Sequence, residues 1–117
     1  MSGKYLLFGA TGSIGSNLAL QLSAKNEDIH LISRNEPELK ELSEKVNSDF
    51  TVLDVLSENF SEKLAQLKSN DIKGIAYCIG SIDLKPIKMT KKSDYEKCFD
   101  LNFYPIVEVI KQFQENL

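Results

Sequence analysis

The stretch Phe8-Gly9-Ala10-Thr11-Gly12-Ser13-Ile14-Gly15 sets three glycines at intervals of three between two segments of different periodicity. Ahead of it, Lys4-Tyr5-Leu6-Leu7-Phe8 is a short, mostly apolar run that predicts a buried strand. Behind it, Ile14, Leu18, Leu20 and Leu22 lie on a stretch of good helix formers that ends near Lys25-Asn26. A strand, a glycine-rich turn and a helix in that order open a β-α-β unit, and the rest of the chain repeats the alternation.

Ile29-His30-Leu31-Ile32-Ser33 predicts a second strand. Glu36 to Val46 then carries Leu39, Leu42 and Val46 at spacings of three and four, one stripe of an amphipathic helix. Pro37 falls in its first turn, where a missing N–H costs nothing. Phe50 to Leu53 predicts a third strand, and Ser57 to Lys68 a helix with Ser57 as its N-cap and Phe60, Leu64 and Leu67 on one face. Ile72 to Ile79 predicts a fourth strand. Beyond Pro86, Ser93 and Glu96 have capping-box spacing, and the helix they open is expected to carry Phe99, Phe103, Val107 and Ile110 and to run to the C-terminus. Four strands alternating with four helices predict an α/β fold, a parallel sheet with helices on both faces. No composition shift or repeat divides the chain, so residues 1–117 are read as one domain.

Composition narrows the function. The chain carries 14 basic and 17 acidic residues, a net charge of −3, which argues against a nucleic-acid or anionic-membrane surface. No apolar run approaches the roughly 20 residues that span a bilayer. Met1-Ser2-Gly3-Lys4-Tyr5 passes directly into the first strand, which argues against a signal peptide. Two cysteines, Cys78 and Cys98, fit a reducing, cytoplasmic setting better than a disulfide framework. One histidine, His30, offers no basis for a metal site or a His-assisted nucleophile. Glu36, Glu38, Glu41 and Glu44 follow helical spacing and read as a solvated face, and Lys85, Lys88, Lys91 and Lys92 as a solvated basic loop.

The glycine loop carries the chemistry. Backbone amides at the start of a helix, with the positive end of its dipole behind them, form a site for a pyrophosphate. A Cβ at the turn would obstruct that approach, and Gly15 would let the helix pack close to the sheet. The residues expected to cradle the pyrophosphate are Gly9, Thr11, Gly12, Ser13, Ile14 and Gly15. Sites of this kind commonly place a carboxylate about 20 positions past the loop to hold a ribose 2′-hydroxyl. Here that neighbourhood is Ile32-Ser33-Arg34-Asn35, with Ser33 18 positions beyond Gly15. No carboxylate stands there to repel a 2′-phosphate. Arg34 offers a fixed cationic fork to bind one, and Ser33 and Asn35 could add hydrogen bonds. NADP is expected in preference to NAD.

These residues resemble the short-chain dehydrogenases/reductases, in an order that runs from Gly9 to Asn102. The resemblance implies a Rossmann-type three-layer α/β/α arrangement with strand order 3-2-1-4. The loop is similar to the family's cofactor loop in its G-x-x-G-x-x-G spacing, with Ser13 where the commoner form has glycine. Arg34 resembles the basic residue of NADP-preferring members. The resemblance implies that Asp54-Val55 contacts the adenine ring; a turn-capping role for Asp54 is the alternative. Tyr77-Cys78-Ile79-Gly80 stands where the family has Asn-Asn-Ala-Gly. Only Gly80 matches, so Cys78, Ile79 and Gly80 are expected to pass the cofactor through backbone. Cys78 itself reads as a small buried hydrophobe. Asn102 is similar to the family's helix asparagine, which helps hold the proton relay of the active site.

Family catalysis also uses a serine and a Tyr-x-x-x-Lys pair, and none of Tyr5, Tyr77, Tyr95 and Tyr104 has a lysine four positions later. The resemblance therefore implies an oxidoreductase interconverting a small-molecule carbonyl and alcohol, of which this chain is the cofactor-binding portion and has little turnover alone. The other readings are a non-catalytic NADP-sensing module and a sugar-nucleotide epimerase or dehydratase. Arg34 argues against the latter. Apolar residues on several sides of the last helix, a helix that in the family helps build a dimer interface, imply a homo-oligomer.

Overall fold

The computed structural model describes residues 3–68, 71–81 and 84–117. Met1 and Ser2, the start of the N-terminal reading above, lie outside the described residues. Strands β1 (Lys4–Phe8), β2 (Asp28–Ser33), β3 (Asp49–Val52) and β4 (Ile72–Tyr77) form one parallel sheet in the order β3-β2-β1-β4. Between them run α1 (Ser13–Ala24), α2 (Glu36–Val46) and α3 (Phe60–Gln66), followed by α4 (Lys92–Asn102) and α5 (Tyr104–Phe113). The expected fold class and strand order are therefore those of the molecule.

The period-two alternation of the strands splits the core into two layers. Leu7, Ile29 and Leu31 turn to one face, where they meet Ala19 of α1 and Leu39, Leu42 and Val46 of α2. Leu6, Phe8 and Ile32 turn to the other, against Phe60 and Leu64 of α3 and Val109 and Phe113 of α5. Helix α2 has the predicted bounds and the predicted buried stripe. Its Asn35 cap accepts the Glu38 N–H at 3.1 Å, and Pro37 sits in its first turn. Helix α1 buries the small residues Gly15 and Ala19, while Ile14 and Leu20 stay exposed, because this helix lies close against the sheet.

Several expected boundaries move. Helix α3 starts at Phe60 rather than Ser57, and Asn59 takes the cap position. The Asp54 carboxylate accepts the Leu56 N–H at 2.9 Å and its carbonyl accepts the Ser57 N–H at 3.0 Å, so these residues form a turn instead of a first helical turn. Strand β4 stops at Tyr77: Cys78 N–H bonds to Phe8 O at 2.8 Å, after which β1 turns away at Gly9. The Ser93–Glu96 capping box is replaced by Asp94, which accepts the Lys91 N–H at 2.8 Å and pairs with Lys85 at 2.9 Å. These donors hold the Asp94 carboxyl below its ordinary value, with the Lys91 amide contributing most.

The single C-terminal helix is two, so the described residues hold five α-helices rather than the expected four. Phe103 leaves the helical region (φ −125°, ψ −61°) and Pro105 lies in the first turn of α5. The break rotates the second half, so that Pro105, Val109 and Phe113 form the buried stripe. Of the expected stripe, Phe99, Phe103 and Ile110 are exposed and only Val107 is partly covered. Among the described residues no helix is long and apolar enough to cross a membrane, and no group of His, Cys, Asp and Glu side chains could hold a metal ion.

Candidate cofactor site

In a parallel sheet, ligands settle beyond the carboxyl ends of the strands, where successive connections leave in opposite directions. In the order β3-β2-β1-β4 that point lies between β1 and β4, and the glycine loop occupies it. Gly9 has φ +77°, and a Cβ there would lie 2.8 Å from the Cys78 carbonyl group and from Ile79. A Cβ on Gly15 would fall 2.1 Å from Gly9 O. Both glycines are thus demanded by the protein's own backbone, Gly9 against the β4 loop and Gly15 where α1 crosses the turn.

Gly12 differs. It caps α1 with φ −72°, and the nearest atom to a Cβ on it is Gly9 O at 3.5 Å, an ordinary contact. Nothing inside the molecule requires glycine there. Its lack of a side chain leaves the first-turn N–H groups of Ser13 and Ile14 uncovered, since no side chain caps the helix. Ser13 and Ile14 are exposed at this mouth, Ile14 to 76%. Such a cradle fits a pyrophosphate: it offers uncapped amides, a helix dipole and room for close approach.

The loop is tied to the end of β2. Gly9 N–H and Ala10 N–H both donate to Ile32 O, at 2.8 and 3.1 Å, and the Thr11 and Ser33 hydroxyls are 2.8 Å apart. Ser33 is buried at 6% exposure, and its hydroxyl also accepts the Asn35 N–H at 3.3 Å. Asn35 spends its side-chain oxygen on the cap of α2. Arg34 is exposed between them and, among the described residues, pairs with no carboxylate. Asp54 and Val55 follow β3, Asp54 holding its turn and Val55 buried in the core with Phe60 and Leu64.

Cys78 and Ile79 pack directly beside Gly9 of the loop, and Gly80 follows them. Cys78 is half-buried rather than buried as expected, and that partial burial pushes its thiol up. Asn102, at the last turn of α4, holds the next residue at both backbone groups: it accepts the Ser81 N–H at 3.0 Å and donates to Ser81 O at 2.8 Å. A Cβ on Gly80 would lie 3.1 Å from the Asn102 oxygen, so glycine there gives the asparagine room. Ser81 lies 21 residues from its partner and carries no local sequence signal of that role. Tyr77 is also engaged. Its hydroxyl donates to Leu101 O at 3.0 Å, and burial pushes it up to about 12, far from the range of a proton donor at neutral pH.

No curated protein sequence matches the chain. Solved structures do. Serine dehydrogenase from Escherichia coli aligns over 97% of this chain and 55% of its own, at 21% identity and a TM-score of 0.83. A short chain dehydrogenase from Salmonella enterica aligns over 100% and 53%, at 17% identity and 0.89. A closed form of serine dehydrogenase complexed with NADP+ aligns over 97% and 48%, at 21% identity and 0.84. The chain thus spans about half the length of these structures, and identities this low speak for the fold alone. The sequence profile of the short chain dehydrogenases, however, matches residues 4–117, nearly all of the chain. A β1–α1 glycine loop at the switch point of a 3-2-1-4 sheet is where that family would keep its cofactor, and the chain belongs to the short chain dehydrogenase family.

Proposed function

We propose that the chain is the cofactor-binding portion of an NADP-dependent oxidoreductase that interconverts a small-molecule carbonyl and alcohol. The observation that carries this reading is Gly12, a glycine with no internal cause at the uncapped mouth of α1. Bound there, NADP would supply or accept the hydride. The chain's part is to hold the pyrophosphate on Gly9 to Gly15 and the 2′-phosphate on Arg34. Asp54-Val55 would border the adenine, and the backbone of Cys78, Ile79 and Gly80 would line the crevice. Asn102, by resemblance a member of the proton relay, shapes the crevice through its grip on Ser81. The cytoplasm suits this reading, since both cysteines are free thiols.

Titration of the chain with NADPH and NADH, followed by nucleotide fluorescence, is expected to show tighter binding of NADPH. The guanidinium fork of Arg34 has a phosphate to grip only in that form. Equal affinities would sink the NADP assignment, and no binding of either would sink the cofactor reading.

Self-association is part of the proposal. Phe99, Phe103 and Tyr104 form a ring cluster with centroids 5.5–6.0 Å apart, each at least half exposed. Exposed aromatic clusters of this kind mark contact surfaces. Sedimentation velocity is expected to show a dimer that Phe103→Ser converts to monomer. A monomer across the whole concentration range would count against it.

A further inference from the structure

We infer that the Thr11–Ser33 hydroxyl pair is a latch that positions the cofactor cradle, and that Ser33 takes no part in choosing between the two dinucleotides. The inference rests on the cofactor reading above and separates two jobs that adjacent residues perform. Three consecutive residues of the glycine loop are anchored on two consecutive residues at the end of β2. Gly9 and Ala10 are held through their amides by Ile32 O, and Thr11 through its hydroxyl by Ser33 Oγ at 2.8 Å. The first two bonds are backbone bonds that nearly any sequence could make. The third needs a hydroxyl on each element and is the last tie before Gly12 opens the cradle.

Ser33 is poorly placed to touch a ligand. It is 6% exposed, its hydroxyl is shared between Thr11 and the Asn35 N–H, and its carbonyl accepts the Leu53 N–H from the end of β3 at 2.8 Å. Its contacts therefore join the glycine loop, the Arg34 turn and β3. Thr11 is half-buried, and Arg34, the next residue along, is exposed. A 2′-phosphate would meet Arg34, whereas loss of the Ser33 hydroxyl would loosen the loop that any dinucleotide must use. Ser33 is a positioning residue and Arg34 the specificity residue.

The test is equilibrium titration of the chain with NADP+ and with NAD+, alongside Ser33→Ala, Thr11→Val and Thr11→Ser. Loss of one hydroxyl–hydroxyl bond is expected to weaken both dinucleotides together, by about five- to tenfold, with their affinity ratio unchanged. Thr11→Ser keeps the hydroxyl and should restore wild-type affinity, which separates the bond from mere packing. The Ser33→Ala, Thr11→Val double variant should bind no worse than Ser33→Ala alone, because that single change already removes the shared bond together with the one from the Asn35 N–H. Selective loss of NADP+ affinity in Ser33→Ala would make Ser33 a phosphate ligand and overturn the latch. Unchanged affinities in both single variants would overturn it too, while leaving the cofactor reading intact. If the unmutated chain bound neither dinucleotide, the cofactor reading would fall first and take the latch with it. Should Ser33→Ala fail to fold, the Thr11 pair on the loop carries the comparison alone.

Discussion

A Gly15→Ala chain is expected to lose about 3 kcal/mol of stability, although the same change in most helices would be favourable. Replacing glycine by alanine in a helix ordinarily gains about 1 kcal/mol. At this position the added Cβ falls 2.1 Å from Gly9 O, 2.9 Å from Gly9 C and 3.0 Å from Ala10 Cα. All three are backbone atoms of a turn whose Gly9 and Ala10 amides are fixed on Ile32 O, so the loop cannot step aside. Helix α1 must move off the sheet instead, and its other buried residue, Ala19, loses its contact with the Leu7 and Leu31 layer. A loss of this size is a large share of the 5–15 kcal/mol that holds a domain together. It should lower the melting temperature by on the order of 10 °C. Urea denaturation would measure it. An unchanged midpoint would show that the turn is looser than its hydrogen bonds indicate. Gly12→Ala is the internal control: its Cβ meets only an ordinary contact at 3.5 Å, so folding should survive while cofactor binding weakens.

That contrast also separates what the sequence could tell from what it could not. Spacing alone treats the three glycines as equals. The structure divides them into two that the backbone requires and one that it does not, because the deciding contacts come from Cys78, Ile79 and the loop's own carbonyl. Elements whose ends are set locally were legible. Helix α2 carries its Asn35 cap, its Pro37 and its Leu39-Leu42-Val46 stripe within one short segment, and it forms where the pattern says. Helix α3 starts later than its spacing predicts because Asp54, three residues upstream of Ser57, draws the chain into a turn first. The last helix misled for a different reason. Phe99, Phe103, Val107 and Ile110 keep perfect helical spacing only if the helix is continuous, and the break at Phe103 assigns burial to Val109 and Phe113 instead.

The candidate site divides along the same line. Its pyrophosphate loop and Arg34 are local features of a β-α-β unit and were visible at once. The bonds that shape the site are not local: Thr11 to Ser33, Tyr77 to Leu101 and Ser81 to Asn102 span 22, 24 and 21 residues. Each joins two elements that become neighbours only through the sheet order, so no window of sequence contains both partners. Asp54 shows the limit from the other side. Its carboxylate caps a turn, a role that sequence already offered beside the adenine contact, and the two are compatible because the capping bond leaves its second oxygen free of the Leu56 amide.

The largest change in ligand preference is expected from Arg34→Asp. Arg34 stands exposed at the end of β2 with no carboxylate partner among the described residues, so its charge is not spent on the protein. A planar guanidinium and a phosphate make two parallel charge-assisted hydrogen bonds, together worth about 3 kcal/mol, or roughly 100-fold in affinity. Arg34→Ala should remove that gain and leave the two dinucleotides nearly equal. Arg34→Asp goes further: it sets a carboxylate against the 2′-phosphate and offers an acceptor to a free 2′-hydroxyl, which reverses the order. Arg34→Lys keeps the charge without the fork and should fall between the two. Because Arg34 is exposed, ionic strength gives an independent check. Charges in solvent are screened over about 3 Å at 1 M salt against about 10 Å at 0.1 M, so the wild-type preference for NADP+ should shrink as salt rises. NAD+ binding should respond far less. A preference that survives both high salt and Arg34→Asp would have to come from another part of the crevice, and the assignment of Arg34 would fail.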